Sequence, residues 1–147
     1  MLSPLQRARW ERFKANRRGF VSLWVFGILF SLSLGAEFIA NDRPLLVSFA
    51  ERWYFPTLVN YTEKDFDGEF ETSANYREAY LAEKIAANGW ILWPPIRYSY
   101  DTINYNLQVP APAPPSAENL LGTDDQGRDV LARMIYGFRI SVLFGLI

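Results

Sequence analysis

The chain has 147 residues, of which half are apolar, and a formal net charge of -1. It contains neither cysteine nor histidine, which excludes disulfides, thiol nucleophiles, histidine bases and the usual zinc sites. Residues 1–18 carry six basic residues and one acid, whereas residues 37–118 carry twelve acids and six bases. We therefore expect the basic end and the acidic middle to face different surroundings.

Residues 1–18 are predicted to form a basic amphipathic helix on the cytoplasmic side of a membrane. Ser3 is placed to cap the helix, Pro4 suits its first position, and Gln6 completes a capping box. Basic side chains surround one apolar face, a pattern typical of helices that lie on anionic membrane lipid. A solvated basic tail is the alternative. The apolar face comprises Leu5, Trp10 and Phe13.

Residues 19–40 are predicted to form the first transmembrane helix. The run GFVSLWVFGILFSLSLGA, between Arg18 and Glu37, has no charged residue. As a helix it spans roughly 27 Å, close to the ~30 Å hydrocarbon core of a bilayer. The basic residues before it place the N-terminus in the cytoplasm by the positive-inside rule.

A cleaved export signal is the alternative for this N-terminal region. The stretch NRRGFVS resembles a twin-arginine signal, and cleavage would release an exported soluble module that binds carbohydrate or another ligand. The apolar run is longer than the core of most signals, and Ser33-Leu34-Gly35 is a poor cleavage site. We therefore favour a retained anchor.

Residues 41–109 contain no second spanning segment and are predicted to be a small mixed insert outside the cytoplasm. One helix is predicted within 73–89, with Ser73 as its cap, Leu81 and Ile85 on its packed face, and the pair Asn88-Gly89 as its end.

Two features of the insert suggest either a ligand site or ordinary structure. The ring faces of Trp90, Trp93, Tyr98 and Tyr100 would suit stacking against a sugar, but a small insert with few aliphatic residues is expected to use aromatic side chains as its core. The alternating acids Asp65, Asp67 and Glu69 hint at calcium ligands, yet they miss the spacing of the twelve-residue calcium loop. We favour the core and a solvated acidic loop.

Residues 110–119 are predicted to be an extended proline-rich spacer with a solvated backbone. The acidic cluster that follows it is weak as chemistry. No histidine, cysteine or lysine lies nearby to complete a catalytic site, and Arg128 would compete with a metal ion for the carboxylates. The glycine spacing does not match a phosphate-binding loop.

The same cluster is better explained as the start of a helix. Asp124 or Asp125 is predicted to cap a helix that begins near Gln126. Ion pairs are predicted between residues four apart, Asp124 with Arg128 and Asp129 with Arg133. Gly137 is predicted to break the helix. The predicted apolar strip is Val130, Met134 and Phe138, with Leu131 and Ile135 beside it.

The segment 120–147 resembles the signature of peptide-type ABC importer permeases, the C-type subunits of dipeptide and oligopeptide uptake systems. Their pattern is close to L-G-T-D-x-x-G-R-D-V-x-S-R-x-x-Y-G-x-R-x-S-L. Ala132 and Val142 are mild departures from it. The matching positions are Leu121, Gly122, Thr123, Asp124, Gly127, Arg128, Asp129, Val130, Arg133, Tyr136, Gly137, Arg139 and Ser141.

The resemblance implies an all-α polytopic protein of the bacterial inner membrane, of which this chain supplies one complete transmembrane helix, the insert and the start of a second transmembrane helix. The long insert and WPPIRYSYDTINY look like the branch associated with microcin C and peptide uptake. Family members pair with a second permease, sit on two ATP-hydrolysing subunits and receive substrate from a periplasmic binding protein. The resemblance therefore implies no enzyme activity, cofactor, metal or nucleic acid for this chain, because ATP is bound by the partner subunits. We also expect the chain to be the N-terminal portion of a longer permease, although a single-span anchor protein is a third interpretation.

Overall fold

The computed structural model describes residues 3–147, so the first two residues of the predicted segment 1–18 lie outside it. The chain divides into two compact units, the segment ending at Leu34 together with Phe138–Ile147, and Gly35–Gly137. A 3-10 turn at Glu63–Phe66 accompanies the regular elements. These are α1 (Pro4–Ala15), α2 (Arg17–Leu34), α3 (Ala36–Ile39), β1 (Leu46–Phe49), β2 (Arg52–Tyr54), α4 (Ala79–Asn88), β3 (Gly89–Leu92) and α5 (Val130–Leu146).

The first helix begins with the predicted capping box. The backbone N–H of Gln6 donates to Ser3 Oγ at 3.3 Å, and the backbone N–H of Ser3 donates to Gln6 Oε1 at 2.9 Å. Asn16 separates α1 from α2, and its side-chain oxygen accepts a hydrogen bond from Gly19 N–H at 3.3 Å. The capping prediction is confirmed, whereas the role of Asn16 was not foreseen.

Of the helices within residues 3–147, α2 alone is long and apolar enough to cross a membrane, with a mean hydropathy of 1.3 over 18 residues. It ends at Leu34, and after Gly35 the short helix α3 continues to Ile39, so the predicted span 19–40 is helical with one interruption. Ala36 and Ala40 are fully buried in the second unit. The parallel bridge from Ala40 to Ile96 marks the end of the helical run.

The second unit contains a three-stranded antiparallel sheet in the order β2-β1-β3. Val47 lies opposite both Tyr54 and Ile91 in the register. Ala50 and Glu51 connect β1 to β2 with positive φ angles of 47° and 61°. The three strands were not predicted individually, but a sheet beside a helix agrees with the mixed insert expected from the sequence.

One core of the insert lies between the sheet and α4. Leu81 and Ile85 are buried in it, as predicted. Aromatic rings fill the remaining space, and Phe66 contacts Phe49 and Tyr76 at centroid distances of 5.7 and 5.6 Å. The core residues are Val47, Phe49, Phe66, Tyr76, Leu81 and Ile85.

The helix of the insert begins later than predicted. Glu78 occupies the N-cap position of α4, whereas Ser73, the predicted cap, forms an antiparallel bridge with Thr62. The bridge holds residue 73 in extended backbone, which explains why no helix starts there. Gly89 ends the helix as predicted and, in addition, begins β3.

The four aromatic residues proposed for stacking do not share one surface. Tyr98 is buried and Trp93 is half-buried against the core. Trp90 is exposed and contacts Trp53 edge-on at 5.7 Å. Tyr100 is half-exposed beside Tyr136, 5.1 Å away. The structure therefore divides them between packing and surface positions.

We expect Gly89→Ala to destabilise the chain by about 3 kcal/mol, the upper end of overpacking penalties. A Cβ at Gly89 would lie 1.8 Å from the carbonyl oxygen of Ser48 and would push β3 away from β1. Gly137→Ala is the matched control, because a Cβ there meets nothing within 4 Å. Thermal unfolding of the detergent-solubilised chain, followed by circular dichroism, measures both. Equal melting temperatures for the Gly89 variant and the wild type would contradict the strand packing.

Candidate functional site

The signature residues before α5 form a compact loop. Its hydrogen bonds run from Asp124 N–H to the Arg128 carbonyl at 2.9 Å and from Gly127 N–H to the Asp124 carbonyl at 3.1 Å. Gly122 and Gly127 adopt φ angles of 78° and 79°, which residues with a Cβ rarely tolerate. A Cβ at Gly122 would also lie 2.5 Å from the carbonyl oxygen of Ala113. The glycines thus permit both the turn and the close approach of the spacer.

The carboxylate of Asp124 organises this loop. One oxygen accepts the backbone N–H groups of Gln126 and Arg128 at 2.9 and 3.0 Å. The other accepts Arg128 Nε at 2.8 Å, as the predicted ion pair requires, and also pairs with Arg133. Partial burial would raise the pKa of Asp124, but the hydrogen bonds from Arg128, Gln126 and Arg133 outweigh it and lower the pKa to about 2.

The cap of α5 is Asp129, and neither Asp124 nor Asp125 caps it. The helix begins at Val130 rather than near Gln126, and Asp129 Oδ1 accepts the backbone N–H of Ala132 at 2.7 Å. The predicted ion pair between Asp129 and Arg133 is also wrong, because Arg133 pairs with Asp124. The turn at Gly127 delays the helix until the chain has passed the loop.

The second oxygen of Asp129 begins a buried polar chain. It accepts the side-chain amide of Asn119 at 2.8 Å, and Asn119 Oδ1 accepts the side-chain amide of Asn104 at 3.0 Å. All three residues are at least 96% buried. Sequence reasoning missed both asparagines. Asparagine is common in turns, but this preference does not indicate which distant residue its side chain will bond.

The proline-rich spacer is attached to the signature rather than fully solvated. Thr123 Oγ1 accepts the backbone N–H of Ala113 at 2.9 Å, and Thr123 N–H donates to the Ala113 carbonyl at 3.0 Å. The bond between Ala111 and Pro112 is cis. Thr123 therefore fixes the middle of the spacer against the loop that precedes α5.

The first turns of α5 pack through a face that differs from the predicted strip. Ala132 and Tyr136 are buried, whereas Met134 is 58% exposed. Tyr136 donates its hydroxyl to the carbonyl oxygen of Ala40 at 2.8 Å. Gly137 does not break the helix, which runs on to Leu146. The buried cluster around Tyr136 comprises Ala36, Ala40, Ile96, Tyr98, Ala132 and Tyr136.

This arrangement holds structure together and has no geometry for acid–base work. The oxygens of Asp124 and Asp129 are all engaged by donors from the chain itself. Within residues 3–147 no group of three histidine, cysteine, aspartate or glutamate residues is placed to hold a metal ion. Of the predicted signature residues, Gly122, Thr123, Asp124, Gly127, Arg128 and Asp129 meet in one loop, Arg133 reaches it from α5, and Tyr136 joins the neighbouring cluster. Gly137 and Arg139 lie farther along α5.

Residues 3–67 match the family model described as the N-terminal TM domain of oligopeptide transport permease C. The chain is 55% identical over 145 residues to the inner membrane ABC transporter permease protein YejE of Escherichia coli K12, an alignment that covers 99% of the chain and 42% of that relative. It is 49% identical over 168 residues to the peptidoglycan transport system permease protein YejE of Agrobacterium fabrum, covering 98% of the chain and 44% of the relative.

A shorter match joins the chain to other uptake systems. The dipeptide transport system permease protein DppC of Haemophilus influenzae is 71% identical over 28 residues, covering 19% of the chain and 10% of the relative. The chain thus spans less than half the length of each of these relatives. No solved structure matches the chain.

We expect Asn119→Ala to destabilise the chain by about 2–3 kcal/mol, because it leaves one oxygen of a buried carboxylate and the Asn104 amide without their partner. Asn106→Ala is the matched control. Its side chain is exposed, and we expect a change within about 0.5 kcal/mol. Denaturant titration in detergent measures both. Equal effects of the two substitutions would show that the buried hydrogen bonds between Asp129, Asn119 and Asn104 do not contribute to stability.

Asp124 is expected to make stability depend on acid pH. Its pKa of about 2 in the folded chain lies below the ordinary value of 3.8. Its contribution is therefore present above pH ~4 and is lost as the pH falls towards ~2. Asp124→Asn should remove this part of the pH dependence, whereas the exposed neighbour substitution Asp125→Asn should retain it. Melting temperatures between pH 2 and 6 measure the difference, and parallel curves for the wild type and Asp124→Asn would contradict the assignment.

Proposed function

We propose that this chain, which belongs to the C-type permeases of peptide ABC transporters, is part of an ATP-driven importer for peptides or peptide-like compounds. In this role it forms part of the translocation path together with a second permease subunit. The observation that carries the proposal is the 55% identity to a permease over nearly the whole chain. The signature loop supports it, because its polar residues act as structural ties rather than as a catalytic site.

The proposed assembly has further members. Two ATP-hydrolysing subunits bind the nucleotide, so the chain itself needs no cofactor and catalyses no reaction. A periplasmic binding protein delivers substrate, and bilayer lipid surrounds the helices. No nucleic acid takes part. The proposed location is the bacterial inner membrane, with α1 on the cytoplasmic side and the insert in the periplasm.

The geometry suggests what the signature does during transport. Asp129 caps α5, and Asn119 and Thr123 join the start of the helix to the insert and the spacer. We propose that residues 120–129 transmit motion between the external insert and the first turns of α5, up to Gly137, when the permease pair rocks.

An exported ligand-binding module is the alternative function, because a signal sequence near the N-terminus passes the same test of length and hydropathy as α2. The two functions differ in the fate of the N-terminus. The permease requires α1 and α2 to remain in the mature protein, whereas export behind a twin-arginine signal removes them.

Import is tested in a bacterial strain that lacks the gene encoding this chain. We expect the deletion to abolish uptake of a radiolabelled tripeptide, and the intact gene to restore it. Arsenate, which depletes ATP, should stop the restored uptake. Asp129→Ala should reduce uptake at least tenfold through loss of the α5 cap, and Asp125→Asn serves as its control. Immunoblots of membrane fractions verify that each variant is present at equal amounts.

Two outcomes would overturn the proposal. Tripeptide uptake that is unchanged in the deletion strain would exclude a required role in peptide import under the growth conditions used. N-terminal sequencing of the mature protein that finds a start beyond Leu34, together with release into a soluble fraction, would establish the exported module instead.

A further inference from the structure

A cavity of about 540 Å³ opens on the surface of the insert and the end of the spacer, and its lining includes none of residues 120–129. Its volume lies within the ~300–1,000 Å³ usual for small-molecule sites. The walls combine aromatic rings with two guanidinium groups and one carboxylate. The residues that give it this character are Tyr76, Arg77, Trp93, Arg97, Tyr98 and Glu118.

Two arginines in this cavity are held by ring faces rather than by acids. The guanidinium carbon of Arg77 lies 4.2 Å from the centroid of the Tyr98 ring, and that of Arg97 lies 5.6 Å from the centroid of the Trp93 ring. Arg77 Nη1 also donates to the backbone carbonyl of Arg97 at 2.8 Å. The Arg77 guanidinium is thereby fixed against the backbone of Arg97, and both side chains line the cavity.

Neither arginine forms an ion pair within residues 3–147. The absence is notable because residues 37–118 contain twelve acids. A guanidinium has five N–H donors in a planar fork that matches a carboxylate. Stacking on a ring and one hydrogen bond to a carbonyl engage only part of the Arg77 fork.

The carboxylate of the cavity is already oriented. Burial raises the pKa of Tyr98, so its phenol stays protonated and donates to Glu118 Oε2 at 3.3 Å. The cavity lining thus contains both cationic donors and an anionic acceptor, and Tyr98 contacts one of each, Arg77 and Glu118.

We propose that this cavity binds a small organic carboxylate that also bears hydrogen-bond donors, with Arg77 and Arg97 holding the carboxylate and Glu118 accepting from the donors. A zwitterionic dipeptide and a sugar acid both carry this chemistry. Trp93 and Tyr98 supply apolar wall area to either ligand. The site is independent of transport and requires only residues of the insert and of the spacer.

Isothermal titration calorimetry of the complete chain in detergent tests the site with two pairs of probes at low salt. Alanyl-alanine is compared with alanyl-alanine amide, and glucuronate is compared with glucose. We expect the member with a carboxylate in at least one pair to bind at least tenfold more tightly than the member without one. Binding should weaken as salt is raised, because the arginines are exposed.

Substitutions identify the residues. Arg77→Gln and Arg97→Gln should each weaken binding about fivefold or more, whereas Arg52→Gln, which changes an exposed arginine of β2 outside the cavity, should leave it unchanged. Glu118→Gln should reduce the preference for alanyl-alanine over its N-acetyl derivative, since the ammonium of the dipeptide then loses its anionic partner. Circular dichroism melts verify that each variant folds.

The outcomes separate the sources of the ligand. Binding of alanyl-alanine alone assigns the site to zwitterionic peptides, and binding of glucuronate alone assigns it to sugar acids. Equal binding of the probes with and without a carboxylate, no binding of either carboxylate, or equal losses in Arg52→Gln and Arg77→Gln would each overturn the proposal.

Discussion

The second unit depends on one buried carboxylate. Asp129 is 1% exposed, and a charge taken out of water in this way is stable only if its oxygens are fully hydrogen-bonded. One oxygen caps α5 through Ala132, and the other is held by Asn119. Asp129 therefore requires the start of α5, the end of the spacer and the insert to pack together around its carboxylate.

The neighbouring signature residues stabilise this packing around Asp129 in different ways. Gly122 and Gly127 allow backbone conformations and close contacts that a larger residue would prevent. Thr123 holds the spacer, and Asp124 gathers two arginines around the turn. Polar residues that resemble a reactive cluster in the sequence thus have separate structural roles in the fold. Their dense spacing reflects how tightly the chain must turn between an extended spacer and a helix.

Local signals predicted the parts of the fold that are local. The capping box of Ser3 and Gln6, the buried pair Leu81 and Ile85, and the ion pair of Asp124 with Arg128 each depend on neighbours three or four residues away. The sheet was not predicted from the sequence because its strands have only three or four residues. Its hairpin turn moreover uses Ala50 and Glu51 in place of the glycine or asparagine that normally marks such a turn.

The candidate site likewise combines features that the local sequence predicts with features that depend on distant residues. Its sequence motif located the loop, but three aspartates in six residues offered equivalent local roles, and only the distant Asn119 decides that Asp129 is the buried one. The packed face of α5 was likewise set by Ala40, a residue far back in the chain, rather than by the period of the helix. Nothing in the sequence indicated that Arg77 and Arg97 meet in one cavity, since a helix and a strand separate them. Two of its walls, Trp93 and Tyr98, were nevertheless considered for stacking.

The bond between Tyr136 and Ala40 joins residues 96 positions apart and has a consequence for biosynthesis. Closing so long a loop carries an entropic cost, which must be offset by other contacts that form at the same time. Since ribosomes deliver the chain from its N-terminus at ~5–20 residues per second, Ala40 emerges several seconds before Tyr136. During that interval Ala36 and Ala40 have no tyrosine to cover them, and the cluster is completed only once the first turns of α5 arrive.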